Sequence, residues 1–112
     1  MTKDDVKKEI LNLQSEFSEL MELFNDYTNQ LNTISSNYSE LKVRINERLV
    51  ELQKLDKLNR LNEYQRNFLL PCINEVSLHC NARVGSKNKQ QLSSSIYDGQ
   101  DYCGYWLSQL DV

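Results

Sequence analysis

The most restrictive feature of this sequence is an apolar stripe near its N-terminus that recurs at alternating steps of four and three residues. The stripe begins at Val6 and ends at Ile45, and every position in it is aliphatic or aromatic. Its members are Val6, Ile10, Leu13, Phe17, Leu20, Phe24, Tyr27, Leu31, Ile34, Tyr38, Leu41 and Ile45. A seven-residue repeat of this kind keeps one face of an α-helix turned towards a neighbouring helix. The stripe therefore predicts long, heptad-patterned helices and an all-α fold.

The apolar spacing changes after Ile45. The next heptad position is Arg48, whereas the apolar residue is Leu49. Further apolar residues then follow at steps of three, namely Leu52, Leu55, Leu58 and Leu61. Each step of three turns an apolar stripe by about 60° around the helix. We therefore expect this part of the chain to contact different neighbours along its length.

The first 70 residues allow two arrangements. No glycine or proline precedes Pro71, so residues 3–70 could form a single rod of about 100 Å that needs a partner. Alternatively, the weak helix formers at 32–37 could make a turn, which would give an antiparallel hairpin. The unbroken heptad phase through that turn favours the rod. Residues 1–40 hold three basic and eight acidic side chains, and residues 41–66 hold seven and four, which favours the hairpin.

The C-terminal part divides into three predicted segments. Because proline has no amide proton and restricts the residue before it, Pro71 predicts a kink, followed by a short helix over 71–85. Residues 86–95 are polar and predict a linker. In the aromatic segment 96–112, the i, i+4, i+8 spacing places Tyr102, Trp106 and Leu110 on one face of a short helix. A hairpin turning at 98–99 is the alternative.

The residues able to carry out chemistry do not form a recognisable site. Cys72 and Cys80 are eight residues apart, whereas zinc ligands usually occur in pairs two to four residues apart. No catalytic signature surrounds Cys103, although a thiol site with His79 and Asp101 is one alternative. We therefore expect no cofactor, no metal site and no enzymatic activity, with thiol or metal chemistry around Cys103 and His79 kept as an alternative.

Charge and hydropathy argue against nucleic acid and membranes as partners and bear on where the protein is found. The formal net charge is −3, whereas duplex-DNA binders are usually basic, so nucleic acid is not expected as a partner. No apolar run approaches the roughly 20 residues that a membrane span needs. The N-terminal residues do not resemble an export signal. We therefore predict a cytoplasmic protein with reduced cysteines.

These patterns together predict a non-catalytic protein that works by binding other proteins. We expect a helical adaptor or assembly subunit that forms an oligomer or complex with itself or with another helical protein. A small regulator, inhibitor or secretion chaperone that covers a partner surface is the alternative. The predicted interface residues are Ile10, Leu13, Phe17, Leu20, Phe24, Tyr27, Leu31, Tyr102, Trp106 and Leu110.

Overall fold

The structure is a computed structural model that describes residues 2–24, 31–82 and 89–111. Within these ranges it contains four α-helices and no β-strand, so the predicted all-α class is confirmed. The helices are α1 (Lys3–Leu23), α2 (Leu31–Lys57), α3 (Leu70–Ala82) and α4 (Lys89–Leu110). A π-helical segment, Gln65–Leu69, leads directly into α3. The molecule measures 46 × 25 × 16 Å.

Helices α1 and α2 form an antiparallel pair. Arg48 of α2 binds Glu9 of α1, and Arg44 of α2 binds Glu16, so the numbering rises along one helix as it falls along the other. The hairpin, and not the continuous rod, is therefore the arrangement present. The ion pairs join the acidic N-terminal part to the basic part that follows it, as the charge distribution predicts.

The other two helices complete an up-down-up-down bundle. Trp106 of α4 donates a hydrogen bond to Glu75 of α3. Asn46 of α2 bonds to Asn81 of α3. Helix α1 packs along α4 and so completes the circle of four helices; this is the most extensive helix contact among the described residues. Each helix thus has two antiparallel neighbours, and the core lies between all four.

The core takes up most of the predicted apolar stripe. Phe17, Ile10 and Val6 are fully buried on α1, and Leu52 continues the buried face of α2 after the change of register. The C-terminal half of the chain supplies a matching set of buried side chains, namely Leu69, Cys72, Ile73, Val76, Cys80, Leu92, Ile96, Cys103 and Leu110. Nine of the twelve stripe residues are therefore buried within one chain, and among the other three Phe24 and Leu31 are half-buried, whereas Tyr27 lies outside the described residues.

Local hydrogen bonds fix where the helices begin. The Asp5 amide donates to the Thr2 hydroxyl at 3.2 Å, and the Thr2 amide donates to the Asp5 carboxylate at 3.0 Å. Hydrogen bonds from Thr2 lower the pKa of Asp5. Asn62 and Gln65 form the same reciprocal pair, at 2.9 and 3.0 Å, before the π-helical segment. Such capping boxes satisfy amides that have no partner within the helix.

Helix α2 ends in a compact left-handed turn. Asn59 has a φ of 56°, a conformation that asparagine tolerates better than most residues do. The Arg60 amide donates to the Leu55 carbonyl at 2.9 Å, and the Asn59 amide donates to the Asp56 carbonyl at 3.0 Å. These two bonds define a Schellman motif. Leu58, at the end of the helix, is left 62% exposed.

Three boundaries differ from the sequence prediction. Positions 32–37 lie inside α2, because packing of Ile34 against the core outweighs their weak helix propensity. The chain is also helical on both sides of Pro71, so the short helix does not start there. The Leu70 amide donates five residues back, to Gln65, and this wider turn, of a kind at which helices kink, admits the proline. Finally, α4 begins at Lys89, so the predicted linker 86–95 is helical from there onward. The predicted end of α3 near Gly85 lies outside the described residues.

Candidate functional site: surfaces between helices

Half of the ten predicted interface residues lie inside the bundle. Ile10, Leu13, Phe17, Leu20 and Leu110 are at most 7% exposed and pack between helices of the same chain. The remaining described members are half-buried against this core, namely Phe24, Leu31, Tyr102 and Trp106. Tyr27 lies outside the described residues. An interface through the fully buried set would require the bundle to open, so a contact with the closed bundle has to use its exterior.

The α1–α4 contact is closed. A Cβ atom added at Gly99 would lie 2.5 Å from the Phe17 ring, so the ring sits directly on the α4 backbone. The Lys7 ammonium lies 3.1 Å from the Asp111 carboxylate at one end of the pair. The Gln14 side chain reaches the Gln100 carbonyl at 3.4 Å. Nothing further can insert between these helices without separating them.

The contact between α1 and α2 is more open, and we call it the α1–α2 groove. Its apolar floor includes residues from three helices, namely Leu13, Leu20, Leu41, Ile45 and Ile73. Its rim consists of Glu9, Glu16, Arg44 and Arg48. Two of the predicted interface residues, Leu13 and Leu20, thus line the floor of an external groove as well as the core.

Arginine side chains bridge the α1–α2 groove. Arg48 Nε and Nη2 both donate to the Glu9 carboxylate at 2.9 Å, which is the two-pronged geometry that guanidinium favours. The hydrogen bonds to Glu9 raise the pKa of Arg48. Arg48 also binds Glu51 on its own helix, and Arg44 binds Glu16 across the groove. The bridges hold the two helices together without filling the space between them.

A second exterior surface lies along α3 and α4, and we call it the α3–α4 surface. Its members are Glu75, Leu78, His79, Asp98, Asp101, Tyr102, Tyr105 and Trp106. The Trp106 indole N–H donates to Glu75 at 2.9 Å, which fixes the ring against α3. Tyr105 packs edge-on against Trp106, with ring centroids 5.3 Å apart. The Trp106 ring is thus held by contacts within the chain.

The α3–α4 surface combines exposed apolar groups with negative charge. Leu78 is 62% exposed and Tyr105 is 54% exposed. Glu75, Asp98 and Asp101 supply three carboxylates, and neither lysine nor arginine is among the described residues that line this surface. His79 Nε2 lies 3.3 Å from Asp98, and the His79 ring packs against Tyr102. The arrangement suits a partner that brings both apolar contact and positive charge.

The three cysteines are buried and separate from this surface. A hydrogen bond with Cys103 and burial both raise the pKa of the Cys72 thiol, and burial raises that of Cys80. A raised thiol pKa removes the nucleophilic thiolate. His79 faces Asp98 and Tyr102, and the described residues contain no cluster of three groups that could hold a metal.

Sequence reasoning identified the aromatic residues of α4 but missed their partners on α3. Glu75 and Leu78 belong to a helix whose buried face is set by Cys72, Val76 and Cys80. The same 3.6-residue period, followed around the helix, places positions 75 and 78 on the outer side. The signal was therefore present, although nothing in the sequence shows which helix lies beside α4.

Comparison with known proteins identifies no relative: no family model, no curated protein and no solved structure matches the chain. In the part of the chain that the structure describes, no helix has the length and apolar character needed to cross a membrane.

Proposed function

We propose that this is a non-catalytic, cytoplasmic interaction protein, a helical adaptor or assembly subunit that binds another protein through the α3–α4 surface. The aromatic cluster of the exposed Tyr105 and the half-buried, hydrogen-bonded Trp106 carries this proposal. Tyrosine and tryptophan are enriched among the residues that dominate binding energies. Leu78 beside them adds exposed aliphatic area that costs free energy to hydrate.

The exposed apolar side chains of the α3–α4 surface are not needed for folding. They are therefore available for binding. The core is closed by other residues, and Leu78 and Tyr105 do not belong to it. A side chain that contributes little to the core and remains in water is available for a contact with another molecule. The proposal therefore assigns the core and the binding surface to different residues.

Affinity capture with a double variant tests the proposal. The tagged chain, incubated with extract of its native host, is expected to retain a partner in a fixed molar ratio. The Leu78→Ser/Tyr105→Ser variant should lose that partner, whereas the control Leu11→Ser/Tyr97→Ser should keep it. Leu11 and Tyr97 are 43% and 56% exposed and lie outside the surface. Retention by both variants would contradict the proposal.

The alternative function, a regulator or secretion chaperone that covers part of a partner, is favoured by the α1–α2 groove. Its apolar floor between two helices has the form of sites that accept an amphipathic helix. If this function applies, capture of the partner should survive Leu78→Ser/Tyr105→Ser. It should be lost when Leu41 is replaced by lysine in a variant whose helical circular dichroism is unchanged.

A further inference from the structure

The end of α2 carries a surface whose composition is the counterpart of the α3–α4 surface. We call it the basic tip, and its members are Lys54, Lys57, Leu58, Arg60 and Tyr64. Leu58 is 62% exposed and Tyr64 is 36% exposed. The three basic side chains around them are also exposed. Asp56 and Glu63 lie nearby, and Asp56 is 3.9 Å from Arg66, so the positive charges remain in excess.

Local hydrogen bonds on both sides of the turn fix the backbone of the basic tip. The Schellman motif at Asn59 fixes the turn that presents Leu58. The capping box of Asn62 and Gln65 fixes the start of the following helix. Tyr64 stacks on Phe68 at 6.4 Å between ring centroids. An apolar group held in position this way loses little conformational entropy on binding.

From this complementarity we propose that the α3–α4 surface binds the basic tip of a second copy of the chain. Leu58 and Tyr64 would contact Leu78 and Tyr105, and the lysine and arginine side chains would lie against Asp98, Asp101 and Glu75. The proposal rests on the binding role assigned above to the α3–α4 surface, and it names the occupant. Charge complementarity and matching apolar groups, both present on one molecule, are its basis.

The two surfaces lie at different positions on the bundle, and these positions govern how copies of the chain can assemble. The basic tip is at one end of the bundle, whereas the α3–α4 surface runs along its side. Two different patches that join copy to copy make a heterologous contact, which extends into a chain unless the rotation closes a ring. Assembly through this contact is therefore head-to-tail, and it closes as a two-fold dimer only where two copies make the contact in both directions at once. Part of its strength comes from exposed charges, so salt weakens it.

Charge exchange between the two surfaces tests the proposal. The surface variant is Asp98→Lys/Asp101→Lys, which leaves one carboxylate beside two ammonium groups. The tip variant is Lys57→Glu/Arg60→Glu, which leaves one ammonium group beside two carboxylates. Each carries like charges on both of its surfaces and should be monomeric, with self-affinity lowered at least about tenfold, or about 1.4 kcal/mol. An equimolar mixture restores opposite charges at every junction and should associate. Sedimentation equilibrium of the full-length chain over a range of concentrations measures all three samples.

The wild type is expected to show an average mass that rises with protein concentration and falls in about 0.5 M NaCl, where charges are screened beyond a few ångström. A control with Glu47→Lys, an exposed residue outside both surfaces, should associate as the wild type does. A monomeric wild type, or a mixture that stays monomeric, would overturn the proposal. If the host partner is nevertheless captured in a way that depends on Leu78 and Tyr105, the binding role of the surface stands and only its occupant changes.

Discussion

Helix α1 contacts its two neighbours in different ways, and the difference comes from side-chain size at the contact. Towards α4, Gly99 has no side chain, so the Phe17 ring rests on the backbone. Towards α2, the contact is made by Arg44 and Arg48, long side chains that reach across an open groove. A small residue brings two helices together, whereas a long charged pair keeps them a fixed distance apart. One apolar stripe can therefore produce one closed contact and one open contact.

The largest expected effect is the loss of Phe17. Phe17→Ala removes a fully buried ring from the closed contact and should lower the free energy of unfolding by about 3–5 kcal/mol. Leu13→Ala, at the floor of the open groove, should cost about 2 kcal/mol, because water or neighbouring side chains can fill part of the space. Urea denaturation measures both values. Equal losses would contradict the distinction between the two contacts.

The next effect concerns the two glycines of α4. Gly99→Ala places a methyl group against the Phe17 ring and should destabilise the fold by about 1–3 kcal/mol, although alanine favours the helix. At Gly104 an added Cβ meets only the Gln14 amide nitrogen, at 3.3 Å, and a flexible side chain can move away. Gly104→Ala should therefore be neutral or stabilise by up to about 1 kcal/mol. Thermal unfolding of the two variants compares them, and a stabilising Gly99→Ala would show that α1 and α4 separate easily.

A smaller effect is expected for the bridge across the α1–α2 groove. The side chains of Arg48 and Glu9 are 26% and 29% exposed, so solvent reduces the strength of the pair. A double-mutant cycle with Arg48→Ala and Glu9→Ala should give a coupling energy of about 1 kcal/mol. The cycle with Arg44 and Glu16, which are more exposed, should give less. A larger coupling for the second pair would reverse this order.

The smallest expected effect is on the rate at which a thiol reagent labels the cysteines. Cys72, Cys80 and Cys103 are buried, so a thiol reagent should modify the native chain slowly and the unfolded chain at once. The raised thiol pKa of Cys72 and Cys80 adds stability below the ordinary cysteine pKa, and this stability declines as the pH rises above it. Arg48→Ala should leave labelling slow, whereas Gly99→Ala should accelerate it by loosening α4. Fast labelling of the wild type would contradict the closed core.

The sequence was sufficient for the helical class because its signal is periodic and local. The stripe from Val6 to Ile45 predicts buried faces, and the structure buries those faces at Ile10, Phe17 and Ile34. The choice between a hairpin and a rod depended on charge, and the charges do pair between the two halves. Which helix lies beside α4 depends on contacts between distant residues, and no local pattern encodes them.

The wrong boundaries have local explanations. Asn37 and Glu40 have the spacing of a capping box, but the buried neighbours Ile34 and Tyr38 keep the chain helical there. The equivalent signature at Asn62 and Gln65 was overlooked, yet it is the one that caps a helix. Both pairs have an asparagine followed three residues later by a side chain of the same length, glutamate at 40 and glutamine at 65. They differ in that the chain reverses direction just before Asn62 and has no reason to do so at Asn37.

The π-helical segment before Pro71 has a consequence for how changes in chain length would act. A π turn holds one residue more than an α turn, so it advances the helix phase by about 100° between the residues before it and those after it. Deleting Asn67 would convert it into an ordinary turn and swing Tyr64 to another side of the helix while α3 kept its place. Elsewhere in a helix an extra residue can migrate from turn to turn. Here the proline, which donates no hydrogen bond, ties it to one position, and this position decides on which side of the helix Tyr64 lies.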